Sequence, residues 1–446
     1  MKIVIAGAGE VGKYLARMLI KEYHDIVVID TDERGLQYVE SSLDLMTIKG
    51  SCSSISTLIE AGVGKADLFI AVTVSEEINI LASVFAKKLG AKKTVARVDN
   101  MEYIEPKNKP YMLGLGVDRL IFPEYIAARE VVGLLKQTGT NEIFEFSGGK
   151  LTLFVIRLSE NAPIKGLSLR EAAKVINNTN FRAVAVSRND VTIIPKGDDV
   201  LQVDDLVYII TNPAGIKSLI KYSGKENFDI HNVMILGASR IGKKVARSIE
   251  NYLNAKLIEI DTDKSELVAN ELSKTLVING DGRDIEMLKY EGLEKMDAFI
   301  AVTGNSETNI LSCIMAKRAG VKRTIAEIEN MEYIDLANQM GIDTIINKKL
   351  SAASRIYTFT MKAEVASIKC LTGSEAEVME FVVQNNAIIT SDILKNVDFP
   401  KGAIIGGVVR GNKSFIATGD THIKAQDKVV VFALPEAIFK IENYFN

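Results

Sequence analysis

Tryptophan is absent from this chain, and cysteine and histidine are scarce, at three residues each. Cys52, Cys313 and Cys370 are an odd number without metal-ligand spacing, a usage that suits a reducing compartment. His24, His231 and His422 are scattered, so no His/Cys cluster can be assembled and no histidine stands ready as a general acid or base. Charge of one sign is missing too. The 54 basic and 57 acidic residues nearly cancel, to a net −3, and no basic stripe marks a nucleic-acid surface. No stretch reaches the roughly 18 uncharged apolar residues of a membrane-spanning helix. The first residues, Met1 to Gly7, read directly as a strand, which leaves no room for a signal peptide. Any membrane association is therefore expected to run through a protein partner, with the chain itself in the cytosol.

What is present is a repeat. Residues 67–104 align without gaps on 297–334, at an offset of 230, and 21 of those 38 positions are identical. Phe69-Ile70-Ala71-Val72-Thr73 returns as Phe299-Ile300-Ala301-Val302-Thr303, and Asn100-Met101-Glu102-Tyr103-Ile104 returns as Asn330-Met331-Glu332-Tyr333-Ile334. The segment Gly7–Gly12 pairs with Gly237–Gly242 at the same offset.

Each half opens with alternating strands and helices. In the first half, short β-branched runs at 2–6, 26–30, 45–49, 67–73, 94–98 and 119–122 have the composition of buried parallel strands. Apolar residues at helical spacing fill the gaps, as in 76–90, which stops on a glycine. Six strands alternating with helices predict a doubly wound α/β sheet. Beyond about residue 140 the order changes. Strands are expected at 142–146, 151–158, 181–187, 191–194 and 205–211, with a short helix at 168–174 and a last one at 213–222. The expected organisation is thus a first Rossmann domain over 1–140 and a small α+β domain over 141–225. A second pair follows over 230–362 and 363–446.

The glycine pattern Gly7-Ala8-Gly9-Glu10-Val11-Gly12 follows a strand and opens a helix, and Asp30 closes the next strand. Each part has a mechanical purpose. Gly7 permits the tight turn, Gly9 admits a pyrophosphate to the backbone, and Gly12 lets helix and strand pack closely. Free amides at the helix start hold phosphate oxygens. Asp30 would accept the adenosine ribose hydroxyls and repel a 2′-phosphate, which disfavours NADP. The second copy reads Gly237-Ala238-Ser239-Arg240-Ile241-Gly242. Ser239 crowds the place of the middle glycine, and Arg240 could compensate by reaching a phosphate. Keeping the strands in register makes Glu259 the strand-closing acid, with Asp261 as the alternative.

Further candidates lie at strand ends on the same carboxyl edge: Thr73 and Val74, matched by Thr303 and Gly304, and Arg97, whose counterpart is Glu327. Ser51 of the first copy stands opposite Asp281 of the second. Asn79 and Asn309 suit packing or capping equally well. An NAD-dependent dehydrogenase is the enzyme alternative. Tyr103 and Lys107 have the Tyr-x-x-x-Lys spacing of short-chain dehydrogenases, but Pro106 interrupts the helix this would need, and Tyr333 has Ala337 at that spacing. No other residues supply hydride-transfer chemistry, so binding without catalysis is the expectation. The acidic group Asp198, Asp199, Asp204 and Asp205 reads as a solvated turn rather than a cation site.

The glycine loop at residue 7, Asp30, the run Ala66-Asp67-Leu68-Phe69-Ile70-Ala71-Val72-Thr73 and the appended small domain resemble the regulators of potassium conductance. The tandem arrangement resembles the TrkA family, peripheral subunits of bacterial and archaeal Trk potassium uptake systems. The resemblance implies a cytosolic homo-oligomer, dimer or tetramer, beneath a membrane potassium-transporting subunit of the TrkH or TrkG type, and binding of NAD(H), ATP or ADP. By position it implies nucleotide contacts from Gly7 to Gly12, Asp30, Thr73, Val74 and Arg97. In the second half these are Gly237, Ala238, Ser239, Arg240, Ile241, Glu259, Thr303 and Gly304. Ser51, where many such domains carry an acid, and Ser239 depart from the pattern.

Overall fold

The computed structural model describes residues 1–20, 24–43, 45–136, 142–176, 180–189, 191–224, 228–357, 359–360, 365–371 and 376–446. The chain divides into two compact units. One holds Met1–Ile126 with Lys348–Lys362, and the other holds Ala127–Asn347 with Ala363–Asn446.

The first unit is built on a parallel sheet of β1 (Lys2–Ala6), β2 (Asp25–Asp30), β3 (Met46–Lys49), β4 (Leu68–Ala71), β5 (Lys93–Arg97) and β6 (Arg119–Ile121). Their spatial order is β3-β2-β1-β4-β5-β6, so the direction of winding reverses between β1 and β4. That reversal opens the crevice in which sheets of this type bind ligands. The connecting helices are α1 (Glu10–Ile20), α2 (Glu33–Leu43), α3 (Ile55–Glu60), α4 (Glu76–Leu89) and α5 (Lys109–Leu115). α4 starts on the Ser75 side chain, which accepts from the Ile78 amide, and stops on Gly90. The central strands are apolar on both faces; Ile3, Ile5, Phe69 and Ile70 are all fully buried.

α6 (Pro123–Lys136) follows β6, yet its Ala127, Val131 and Leu134 lie in the core of the second unit, beside Val233, Val245 and Ile249. A first small domain comes next: β7 (Glu142–Phe146), β8 (Leu151–Arg157), α7 (Leu169–Val175), β9 (Phe181–Arg188), β10 (Val191–Ile193), β11 (Leu206–Thr211) and α8 (Pro213–Ile220). Its antiparallel sheet runs β10-β9-β11-β8-β7. Ser168 and Glu171 close the start of α7 with a reciprocal capping box.

The second parallel sheet repeats the first. Its strands are β12 (Asn232–Leu236), β13 (Asn254–Glu259), β14 (Leu276–Asn279), β15 (Ala298–Ala301), β16 (Arg323–Glu327) and β17 (Thr344–Ile346), in the order β14-β13-β12-β15-β16-β17. Its helices are α9 (Arg240–Ile249), α10 (Thr262–Glu271), α11 (Ile285–Tyr290), α12 (Ser306–Arg318) and α13 (Glu332–Gln339). α14 (Lys348–Tyr357) follows β17 but packs against α1 in the first unit. Each parallel sheet is therefore completed by a helix that the other half of the sequence supplies.

The last domain comprises β18 (Val365–Cys370), β19 (Glu377–Val382), β20 (Ala403–Arg410), β21 (Lys413–Ile416), β22 (Lys428–Ala433) and α15 (Pro435–Phe445). Its sheet order, β18-β19-β22-β20-β21, matches that of the first small domain strand for strand. The two small domains share one core, in which Phe146, Leu153 and Tyr208 meet Val378, Val430 and Phe432. In both, an arginine forms the same bidentate pair with a buried aspartate, Arg188–Asp205 and Arg410–Asp427.

The candidate nucleotide site

The glycine loop connects β1 to α1. Gly7 adopts φ +115°, which L side chains rarely tolerate, and its amide donates to the Ile29 carbonyl at 2.8 Å. A Cβ on Gly12 would strike the Gly7 carbonyl oxygen, so the helix can approach the turn only without a side chain there. At Gly9 nothing lies within 4 Å of where a Cβ would stand. The loop is thus closed at both ends and open in the middle, the shape that admits a phosphate group to backbone amides. The first helical hydrogen bond runs from the Lys13 amide to the Gly9 carbonyl at 2.9 Å, so the amides of Glu10, Val11 and Gly12 have no acceptor within the helix. Glu10 is exposed at the first position of α1, and Val11 is buried.

Asp30 sits at the end of β2 beside this loop. One carboxylate oxygen accepts from the Ala8 amide at 2.5 Å and the other from the Asp32 amide at 2.9 Å. These bonds fix the carboxylate against the loop, while an oxygen retains a second lone pair for a hydroxyl donor. Ser51, where the resemblance implies an acid, turns its hydroxyl to that of Ser53 at 2.7 Å.

Across the crevice, Asn79 reaches from α4 to the ends of β4 and β5. Its Oδ1 accepts from the Thr73 amide (2.8 Å) and hydroxyl (2.7 Å), and its Nδ2 donates to the carbonyls of Thr73 (3.1 Å) and Arg97 (3.0 Å). Only 1% of Asn79 is exposed, whereas Val74 next to Thr73 is 92% exposed. Thr73 and the Arg97 carbonyl therefore hang on one buried amide, from a residue whose sequence context suits packing or capping equally well. Recurrence of Asn309 at the duplicated position was the signal for it. Arg97 itself is flanked by Asp99 at 3.4 Å and Glu124 at 3.6 Å, so two carboxylates already share its charge.

The second copy keeps this frame and changes the ligand-facing atoms. Gly237 has φ +100°, and Gly242 again meets the carbonyl of its partner glycine. Asn309 joins Thr303 to the Glu327 carbonyl as Asn79 joins Thr73 to Arg97. Gly304 is open, Ala238 and Ile241 are buried, and Arg240 is exposed at the first position of α9. Ser239, however, is the N-cap of α9, and its hydroxyl accepts from the Gly242 amide at 3.2 Å. That oxygen occupies a helix-start amide in the way a phosphate oxygen would.

Glu259 ends β13 and accepts from the Ala238 amide at 2.8 Å, the geometry Asp30 has with Ala8, while Asp261 caps α10. Glu259 also carries an ion pair, with Lys264 at 2.9 Å, where Asp30 has none among the described residues. Burial pushes its carboxyl up, but the Lys264 ammonium and the amides of Asp261 and Ala238 outweigh that and hold it below the ordinary value. Asp281 pairs with Arg283 at 2.7 Å, and that guanidinium lowers its pKa.

Tyr103 lies in a short 3₁₀ turn, Met101–Ile104, that ends before Lys107, and Lys107 pairs with Glu105 at 3.0 Å. Burial pushes the Cys52 thiol up to about 11 and raises that of Cys313. Of the acidic turn in the small domain, Asp205 is fully buried against Arg188 and Asp198 pairs with Arg170. Among the described residues no group of three or more His, Cys, Asp or Glu could hold a metal ion, and no helix is long and apolar enough to cross a membrane.

Known proteins match this architecture. The TrkA-N domain matches residues 3–123 and 233–348, and the TrkA-C domain matches 153–224 and 378–446. The chain belongs to the TrkA family. It is 35% identical, over the full length of both proteins, to a Trk system potassium uptake protein TrkA homolog of Archaeoglobus fulgidus. The TrkA protein of Halomonas elongata is 30% identical, over 100% of this chain and 98% of that one. Among solved structures, the GsuK RCK domain superposes with a TM-score of 0.61 at 17% identity, covering 99% of this chain and 94% of that one. The GsuK channel bound to NAD gives 0.61 at 16% identity, over 100% of this chain and 78% of the channel. At such identities the likeness concerns the fold, which is the tandem RCK arrangement of the TrkA family.

Proposed function

We propose that this chain is the regulatory subunit of a Trk-type potassium uptake system, with NAD(H) or an adenine nucleotide bound in its first half. Occupancy of that site biases a membrane potassium-transporting subunit of the TrkH or TrkG type, and the chain works as a cytosolic homo-oligomer. The observation that carries this reading is the first glycine loop, closed at Gly7 and Gly12, open at Gly9 and faced by the Asp30 carboxylate. The full-length relatives are named for potassium uptake, and the GsuK channel of similar fold binds NAD. Thr73 and Val74 border the crevice, and Asn79 holds Thr73 and Arg97 in place.

The second half has the same frame, but its own side chains stand in for a ligand. Ser239 supplies the oxygen that a phosphate would bring, and Lys264 supplies the donor that a ribose hydroxyl would bring. On this reading the second glycine loop is filled from within, and the chain carries one nucleotide.

The reading is tested by thermal denaturation with NADH, NAD, NADP, ATP and ADP. A nucleotide at 100 times its dissociation constant stabilises by about 2.7 kcal/mol. Asp30→Ala is expected to abolish the shift, and NADP to give less than NAD. Failure of every nucleotide to raise the melting temperature would overturn the reading, and a larger shift with NADP would overturn the role of Asp30. Coupling is tested by potassium uptake in cells that depend on this system, where Asp30→Ala should remove nucleotide control.

A further inference from the structure

The helix that completes the first unit comes from the second half of the sequence, and it brings a cation to the glycine loop. α14 begins Lys348-Lys349, with no acidic residue in its first turn. Two ammonium groups at a helix N-terminus oppose the macrodipole, so local helix stability does not explain them. Packing of α14 on α1 sets Lys349 Nζ 3.7 Å from Glu10 Oε2. Glu10 is the first residue of α1, immediately after Gly9, where the loop is open. The Lys349 side chain is 15% exposed against 60% for Glu10, so the ammonium is held in place while the carboxylate is free to swing away. β6 pairs with β5 in the register in which β17 pairs with β16, so Arg119 is the duplicate of Thr344 and Glu124 that of Lys349. A basic charge here is therefore no part of the packing pattern common to the two repeats.

We propose that Lys349 is the phosphate-binding cation of the first glycine loop, supplied by the second half of the chain. The proposal rests on the nucleotide reading above and names a residue of that site. In the free protein Lys349 neutralises Glu10, which also faces Lys13 at 3.9 Å. A pyrophosphate arriving at Gly9 repels the Glu10 carboxylate and takes over the ammonium. Arg97, which the sequence offered as a phosphate-neutralising cation of the first half, is already engaged by Asp99 and Glu124. Exchange of the Lys349 partner makes α14 sensitive to occupancy of a loop more than three hundred residues away in sequence.

The test measures NADH, ADP and adenosine binding by calorimetry on the full-length chain. Lys349→Met is expected to weaken NADH and ADP by roughly tenfold or more, as loss of a charge-assisted contact does, and to leave adenosine unchanged. Lys349→Arg should restore most of the loss. Glu10→Gln, which removes the competing carboxylate from an exposed position, should tighten ADP several-fold. Wild-type affinity for ADP in a folded Lys349→Met, or no gain in Glu10→Gln, would overturn the proposal and leave the nucleotide reading standing. Absence of NADH and ADP binding by the wild-type chain would overturn both.

Discussion

Lys264 Nζ lies 2.9 Å from Glu259 Oε2, on the carboxylate that corresponds to Asp30 of the first half. The lysine stands where the first half has Gly35, because Asp32 and Asp261 both hold the fourth-residue amide at the start of their helices. A side chain absent from one copy thus occupies the acid in the other. Together with the Ser239 hydroxyl on the Gly242 amide, it predicts one nucleotide per chain for the wild-type protein. Ser239→Gly combined with Lys264→Ala should raise the stoichiometry measured by calorimetry with NADH or ADP towards two. A wild-type stoichiometry of two would show that neither side chain blocks the loop.

The same pair makes a pH prediction. The Glu259 carboxyl is held below its ordinary value, 4.5, in the folded protein. A carboxylate depressed by folding stabilises the protein fully above its unfolded pKa, and this contribution disappears as pH falls through the lower, folded value. Denaturation of Glu259→Gln, followed by urea at pH 7 and below pH 4, should therefore show a flatter loss of stability with acid than the wild type. Equal slopes would mean that Lys264 leaves the carboxyl unperturbed.

The duplication, the strand–helix alternation and the glycine loops were all legible in the sequence, because buried parallel strands must be apolar on both faces and a tight turn must carry glycine. Register alone also selected Glu259 over Asp261, and the structure gives Glu259 the amide contact that Asp30 has. Two features were not legible. An amphipathic helix records which of its faces is buried but not which sheet buries it, so nothing in 123–136 or 348–357 foretold that each would complete the other half's sheet. Ser239 was read as steric crowding, whereas a serine at that place also accepts a backbone amide, and only its position as N-cap decides between the two.

The three loop glycines should respond differently to one added methyl group. At Gly9 the space is open, so Gly9→Ala should leave thermal stability within about a degree of wild type while weakening ADP and NADH binding. At Gly12 the methyl meets the Gly7 carbonyl, and Gly12→Ala should lower the melting temperature by several degrees or prevent folding. If Gly9→Ala bound nucleotide as the wild type does, the opening at Gly9 would not be where phosphate sits.

Asn79 makes four hydrogen bonds from a position 1% exposed, and two of them hold the Thr73 backbone. Replacement by alanine strands the Thr73 amide and the Thr73 and Arg97 carbonyls in a water-poor site, which costs about 1–3 kcal/mol for a buried polar group left unpaired. Asn79→Ala is expected to show that loss in urea denaturation. Because Thr73 and Arg97 lie at the crevice, nucleotide affinity should fall as well, although Asn79 itself is buried away from the opening. Asn309→Ala is the internal control. It breaks the same four contacts in the second half and should cost similar stability, but on a chain with one nucleotide site it should leave the affinity for ADP unchanged. Equal losses of affinity in the two variants would place the nucleotide in both halves and would remove the distinction between a first loop that binds and a second that Ser239 and Lys264 fill.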